Sequence, residues 1–167
     1  MQLHIGTKMV TAQPMTRQAY NDYRGWTLPA DEDGADEGYL VEYQDGGKPN
    51  HPKHAGYISW SPKAQFDAAY RPTTGMSFGL AIEAMKLGKR VARVGWNGKG
   101  MWLMFIRGRA VQIHLQDFGP INEHDHEWRD RVPKQLPWIG MKTADNGFVP
   151  WLASQTDMLA DDWAVVG

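Results

Sequence analysis

The run Arg71-Pro72-Thr73-Thr74-Gly75 constrains this chain most, because it breaks a sequence that is otherwise patterned into helices and strands. Proline lacks a backbone N–H and pushes the preceding residue toward extended backbone, and glycine close behind it lets the chain turn freely. At 167 residues the length suits one domain or two small modules. The break favours two modules, 1–75 and 76–167, each with only a limited core to bury. They differ in charge: seven basic and nine acidic residues precede Met76, and eleven basic and ten acidic residues make up the rest.

In the first module Met9-Val10-Thr11-Ala12 reads as a strand ended by Pro14. Thr16 is placed to cap a short helix through Tyr23, with Gly25 just past its end, where a left-handed residue is common. Asp31 to Gly38 holds five acids without the alternating ligands of a calcium loop, and reads as a solvated acidic loop. Tyr39–Tyr43 and Tyr57–Trp60 are strands by alternation and aromatic content, joined through Gly46-Gly47-Lys48-Pro49-Asn50. Ser61-Pro62 is expected to be an N-cap with proline at the first helical position, opening a helix to about Tyr70. His51 and His54 bracket Pro52 and lack nearby partner ligands, so they read as a surface turn and not as a metal site.

The second module opens with Ser77 as N-cap. Phe78, Ala81, Ile82 and Met85 then recur at helical spacing along one apolar stripe, and Gly88 stops the helix. Strands are expected at Arg90–Val94, Met101–Ile106 and Ala110–Leu115, followed by a polar connection from Gln116 to Pro137. The His124-Asp125-His126 triplet in that connection has no spaced ligand partners and reads as an exposed loop. Trp138–Thr143 and Phe148–Leu152 flank Asn146-Gly147, a strong hairpin signal. Ser154 and Asp157 have capping-box spacing, and Trp163–Val166 is a closing strand.

The chemistry concentrates in Val94-Gly-Trp-Asn-Gly-Lys-Gly-Met101. Its glycines can bring backbone N–H groups close to a phosphate, and Lys99 supplies a compensating charge. Trp96 offers a flat face to a base, and Asn97 can donate and accept along a base edge. The same residues also suit a glycine-rich hairpin whose tryptophan packs inward, since Gly-x-Gly-x-x-Gly and Gly-Lys-Ser/Thr are both missing. Lys86, Lys89, Arg90, Arg93, Lys99, Arg107 and Arg109 surround the loop with no acid between them in sequence, a local field that attracts anions. Ser154, Gln155, Thr156 and Asp157 serve equally as the cap of a helical turn or as hydroxyl, amide and carboxylate groups for ribose and base edges.

Other function classes fall away. With no cysteine the chain has no thiol catalysis, disulfide or cysteine-ligated zinc. No apolar run approaches the roughly 20 residues of a membrane helix, and Met1–Gly6 shows no signal-peptide pattern, so a cytoplasmic protein is expected.

Met76-Ser-Phe-Gly-Leu-Ala-Ile-Glu-Ala-Met-Lys-Leu-Gly-Lys-Arg-Val-Ala-Arg-Val-Gly-Trp-Asn-Gly-Lys-Gly-Met101 resembles the opening of the phage Thoeris anti-defence family, second type. Met141-Lys-Thr-Ala-Asp-Asn-Gly-Phe-Val-Pro-Trp-Leu-Ala-Ser-Gln-Thr-Asp-Met-Leu-Ala-Asp-Asp-Trp163 resembles its ending. The resemblance implies a phage-encoded sponge, a homo-oligomer and usually a tetramer, acting in the cytoplasm of the infected bacterium. It implies capture of cyclic ADP-ribose isomers, the signal of a bacterial TIR-domain enzyme, without cleavage. It also implies, for some relatives, capture of cyclic oligonucleotides of the CBASS pathway. Members commonly begin near Met76; the 75 residues ahead resemble a small module recurring in phage proteins, through Pro14–Arg17, Tyr20–Trp26, Gly38–Tyr43 and Gly56–Pro62.

The combined expectation is an α+β protein whose second module packs one helix on an antiparallel sheet. Its ligand residues are Trp96 on the base, Asn97 on a base or ribose edge, Gly98 and Lys99 on the pyrophosphate, and Ser154, Gln155, Thr156 and Asp157 on ribose hydroxyls. Arg90 and Arg93 form a second anion site suited to a cyclic trinucleotide. No catalytic residue, metal or cofactor is expected, nor a membrane or nucleic-acid partner. The rival readings are a hydrolase of the signal and a nucleic-acid or protein-binding module resting on the basic run.

Overall fold

The computed structural model describes residues 1–96, 99–108 and 136–167. The expected strand Ala110–Leu115, the loop around His124, Asp125 and His126, and the site residues Asn97 and Gly98 lie outside the described residues. The chain divides into two compact units, Met1–Pro72 and Thr73–Gly167.

Unit 1 is a three-stranded antiparallel sheet in the order β1 (Val10–Pro14), β2 (Gly38–Tyr43), β3 (Ile58–Pro62), with α1 (Arg17–Arg24) after β1 and α2 (Lys63–Ala69) after β3. Helix α1 starts where the Thr16 hydroxyl accepts the Ala19 N–H, and stops at Gly25, whose φ of 68° belongs to the left-handed region. Tyr20, Leu40 and Ile58 form its core, closed by Met15, Tyr23 and Trp60. Part of the acidic loop is structural, because Glu32 pairs with Arg17. The Ser61-Pro62 expectation is corrected: Ser61 pairs with Tyr39 inside the sheet, and Pro62 ends β3 as an N-cap without a side-chain acceptor. The Lys63 N–H is taken instead by the Glu37 carbonyl at 3.0 Å. Strand pairing with β2 outweighed a local cap worth about 1 kcal/mol. His54 also turns inward: its Nδ1 lies 2.8 Å from Glu42 and its Nε2 2.9 Å from the Tyr23 hydroxyl. The turn is on the surface, but this side chain ties it to β2 and α1.

Unit 2 is α+β, with α3 (Phe78–Lys86) against a five-stranded antiparallel sheet ordered β7-β6-β5-β4-β8. The strands are β4 (Arg90–Arg93), β5 (Trp102–Ile106), β6 (Trp138–Lys142), β7 (Phe148–Pro150) and β8 (Trp163–Val166), and a short helix α4 (Gln155–Met158) precedes β8. Met76, Ala81, Ala84, Met85, Val91, Leu103 and Trp163 form the core. The apolar stripe of α3 explains this: Ala81 and Met85 are buried in it, and Phe78 and Ile82 pack at its edge. In the β6–β7 hairpin Asn146 takes the left-handed position, φ 70°, of a three-residue loop closed by the Thr143 N–H to the Gly147 carbonyl. The segment before α3 runs along β8: Met76 and Trp163 exchange both backbone hydrogen bonds, at 2.7 and 3.1 Å, and the Val165 N–H reaches the Thr73 carbonyl at 2.8 Å. The unit therefore begins at Thr73, ahead of Met76.

Candidate ligand-binding site

Strand β4 leads into the glycine-rich loop and β8 follows α4, so their antiparallel pairing sets the loop beside the Ser154–Asp157 turn. Arg93 sits opposite Trp163 in that ladder, and its guanidinium bridges the two stretches. Its Nε donates to Asp162 Oδ1 at 2.8 Å and its Nη1 to Asp157 Oδ1 at 3.0 Å. The Arg93 side chain keeps only 19% of its exposure, so these bonds are better shielded than an open surface pair. Arg93 lowers the pKa of the Asp162 carboxyl below its ordinary value. For Asp157 burial acts upward, and the hydrogen bonds from Ser154 and Arg93 outweigh it, again lowering the pKa.

The loop start is held by the same residue. The Val94 N–H donates to the Asp162 carbonyl at 3.0 Å and the Gly95 N–H to Asp162 Oδ2 at 3.2 Å. Gly95 therefore does not offer its amide to a phosphate, because a carboxylate of the protein already occupies it. Among the described loop glycines only Gly100 takes a positive φ, 64°. Lys99 is exposed. Trp96 is half-buried, with its ring edge-to-face against Trp163 at 5.6 Å and Trp151 at 6.4 Å. Its inner side belongs to an aromatic cluster completed by Phe78, and the rest of the ring is open to solvent.

In the second stretch the capping box is complete. Ser154 Oγ accepts the Asp157 N–H at 3.1 Å, and Asp157 Oδ2 accepts from the Ser154 hydroxyl at 2.7 Å and its N–H at 3.3 Å. Ser154 and Asp157 thus use these groups to build the turn, and Gln155 and Thr156 project from it as exposed side chains. The Trp163 indole N–H donates to the Asp157 carbonyl at 3.0 Å, tying the turn to the core.

Arg90 and Arg93 are not brought together. They stand three residues apart on one strand, and side chains an odd number apart point to opposite faces. Arg90 is exposed, donates to the Gly167 carbonyl at 3.1 Å and lies over the Trp102 ring. The basic run is also less free than it looks in sequence, because Glu83 pairs with Lys86 at 2.6 Å and two aspartates hold Arg93. Sequence reasoning missed Asp162; the only available signal was an acid immediately before a closing strand, uninformative until the partner of that strand is known.

Among the described residues no three His, Asp or Glu side chains are grouped to hold a metal ion, and no helix is long and apolar enough to cross a membrane. Comparison with known proteins bears on unit 2. The Thoeris anti-defense 2-like domain matches residues 76–166. The protein named Thoeris anti-defense 2 of Bacillus phage SP01 is 44% identical over 94 residues, covering 56% of this chain and 97% of that protein. With more than half of the chain matched, and the relative spanned almost end to end, the chain belongs to the Thoeris anti-defense 2-like family.

Proposed function

We propose that this protein is a phage anti-defence sponge, acting in the cytoplasm of the infected bacterium to sequester a cyclic ADP-ribose isomer without cleaving it. Removing the signal keeps the Thoeris effector inactive. Family membership supports the anti-defence role. The observation that carries the ligand reading is the Arg93 bridge, which holds the glycine-rich loop and the Ser154–Asp157 turn side by side although they lie far apart in sequence. On this reading the solvent side of Trp96 stacks on the base, and Lys99 with Asn97 and Gly98 takes the pyrophosphate and a base or ribose edge. Gln155 and Thr156 contact ribose hydroxyls. Ser154 and Asp157 act mainly by shaping the turn.

A sponge must outcompete its target, and nanomolar affinity is about −12 kcal/mol. One loop and one turn supply few contacts for that, so we assign the complete site to a homo-oligomer, taken as a tetramer, in which neighbouring copies close the cleft. Cyclic oligonucleotides of the CBASS pathway are a second ligand class on this reading, with exposed Lys89, Arg90 and Arg107 as its source of charge.

The test is to incubate protein with cyclic ADP-ribose, denature it by heat, and analyse the released small molecule by mass spectrometry. Intact ligand supports a sponge, whereas a linear product supports a hydrolase. Absence of bound ligand, with a gel shift of a short oligonucleotide, supports a nucleic-acid-binding module instead. The same release assay with a cyclic trinucleotide tests the second class.

A further inference from the structure

We propose that Asp162, which lies outside both stretches read as ligand-contacting, is a positioning residue for ligand capture. The inference rests on the sponge reading above. Asp162 holds the start of the loop at two consecutive amides, Val94 through its carbonyl and Gly95 through Oδ2. It holds Arg93 as well, through Oδ1 to Nε at 2.8 Å and Oδ2 to Nη2 at 3.4 Å. The far edge of the same guanidinium reaches Asp157 Oδ1 at 3.0 Å and the Thr156 carbonyl at 3.5 Å. Asp157 in turn divides its carboxylate between Arg93 and the capping box, Oδ1 to the first and Oδ2 to Ser154. A continuous chain of charge-assisted bonds therefore runs from the loop start through Asp162, Arg93 and Asp157 to the cap of α4. The planar guanidinium bonds with two carboxylates at once, which a lysine ammonium on a flexible stem does not reproduce.

Charge makes the role of Asp162 separable from simple electrostatics. Two carboxylates and one guanidinium leave the cluster with a net negative charge beside a site read as taking a pyrophosphate. By Coulomb's law alone, neutralising Asp162 should strengthen binding of an anion. A positioning role has the opposite sign: the loop start and the turn lose their shared anchor, and binding weakens.

The experiment titrates cyclic ADP-ribose into the full-length protein and its variants at two salt concentrations, with amide hydrogen exchange followed at Val94 and Gly95. Asp162→Asn keeps the shape and an acceptor oxygen for the Gly95 N–H but loses the ionic pair. It should weaken capture by about tenfold or more, mainly through faster release, and speed exchange at Gly95. Asp161→Asn removes the same charge from the exposed neighbouring residue and should leave affinity unchanged or slightly raised. Arg93→Lys, which keeps the charge, should weaken capture as Asp162→Asn does, and it serves as the measure if Asp162→Asn fails to fold. Wild-type binding with equal or tighter binding by the folded variants overturns the positioning role alone. No binding by wild type overturns the sponge reading, and the ligand role of Asp162 falls with it.

Discussion

Replacing Trp96 with alanine should have two separable effects, because the ring serves two environments. Its inner side packs edge-to-face on Trp163 and Trp151 at 5.6 and 6.4 Å. Such aromatic pairs contribute about 0.5–1.5 kcal/mol each beyond their buried area. Truncating a fully buried tryptophan costs about 3–5 kcal/mol; Trp96 is half-buried, so a loss of roughly 1.5–3 kcal/mol in unit 2 follows. On its outer side, losing one stacked base should cost about 1–3 kcal/mol of binding, which is about 5- to 150-fold in affinity. The two do not mix: a domain with about 5–15 kcal/mol of stability stays almost entirely folded after the first loss. Chemical unfolding read in unit 2 measures one term, and calorimetric titration with cyclic ADP-ribose at 25 °C measures the other. Trp96→Phe keeps an aromatic in the cluster and should fall between wild type and alanine on both axes. A destabilised Trp96→Ala that binds like wild type would make Trp96 a packing residue only, and the base would have to sit elsewhere.

Residues 73–167 alone should fold and capture ligand, whereas a version starting at Met76 should unfold at lower temperature, since it lacks the Thr73 carbonyl that accepts the Val165 N–H; scanning calorimetry compares them. Leu103, fully buried at the centre of unit 2, should lose about 2–5 kcal/mol on replacement by alanine in urea unfolding. Gly56→Ala should destabilise unit 1 more than Gly140→Ala destabilises unit 2 in the same assay. A Cβ at Gly56 meets the backbone carbonyl of Tyr43, while one at Gly140 meets the ring of Phe148, a partly exposed side chain that can swing aside. Acid should weaken unit 2 through Asp157 and Asp162, whose pKa values are lowered from an ordinary 3.8. Their contribution is complete above that value and is lost as pH falls through it toward the lower folded-state pKa. Urea midpoints of residues 73–167 between pH 7 and pH 3 should fall more steeply for wild type than for Asp162→Asn.

The local elements were legible because their causes are local. The Thr16, Ser77 and Ser154 caps each bond an amide three residues on. The stripe of α3 is a period of 3.6, and the β6–β7 hairpin is specified by residues within its own turn. Where local and distant demands competed, as at Ser61-Pro62, pairing across the sheet prevailed. Half of the candidate site was legible in the same way: the glycine-rich loop and the Ser154–Asp157 turn were both marked by composition and spacing. The structure changed how their members divide the work, turning Ser154, Asp157 and the Gly95 amide inward to the protein and leaving Gln155, Thr156 and Lys99 exposed.

By itself, then, the sequence determined which stretches form helices, turns and most strands, and that unit 2 carries the family's two motifs. Only the tertiary structure decided that β8 pairs with β4, and with it that Arg93 meets Asp162 across 69 residues of chain and Asp157 across 64. Periodicity and capping report interactions among residues a few positions apart, whereas strand order is chosen by which apolar faces cover one another, and here burial of Trp163 against α3, β4 and Trp96 made that choice.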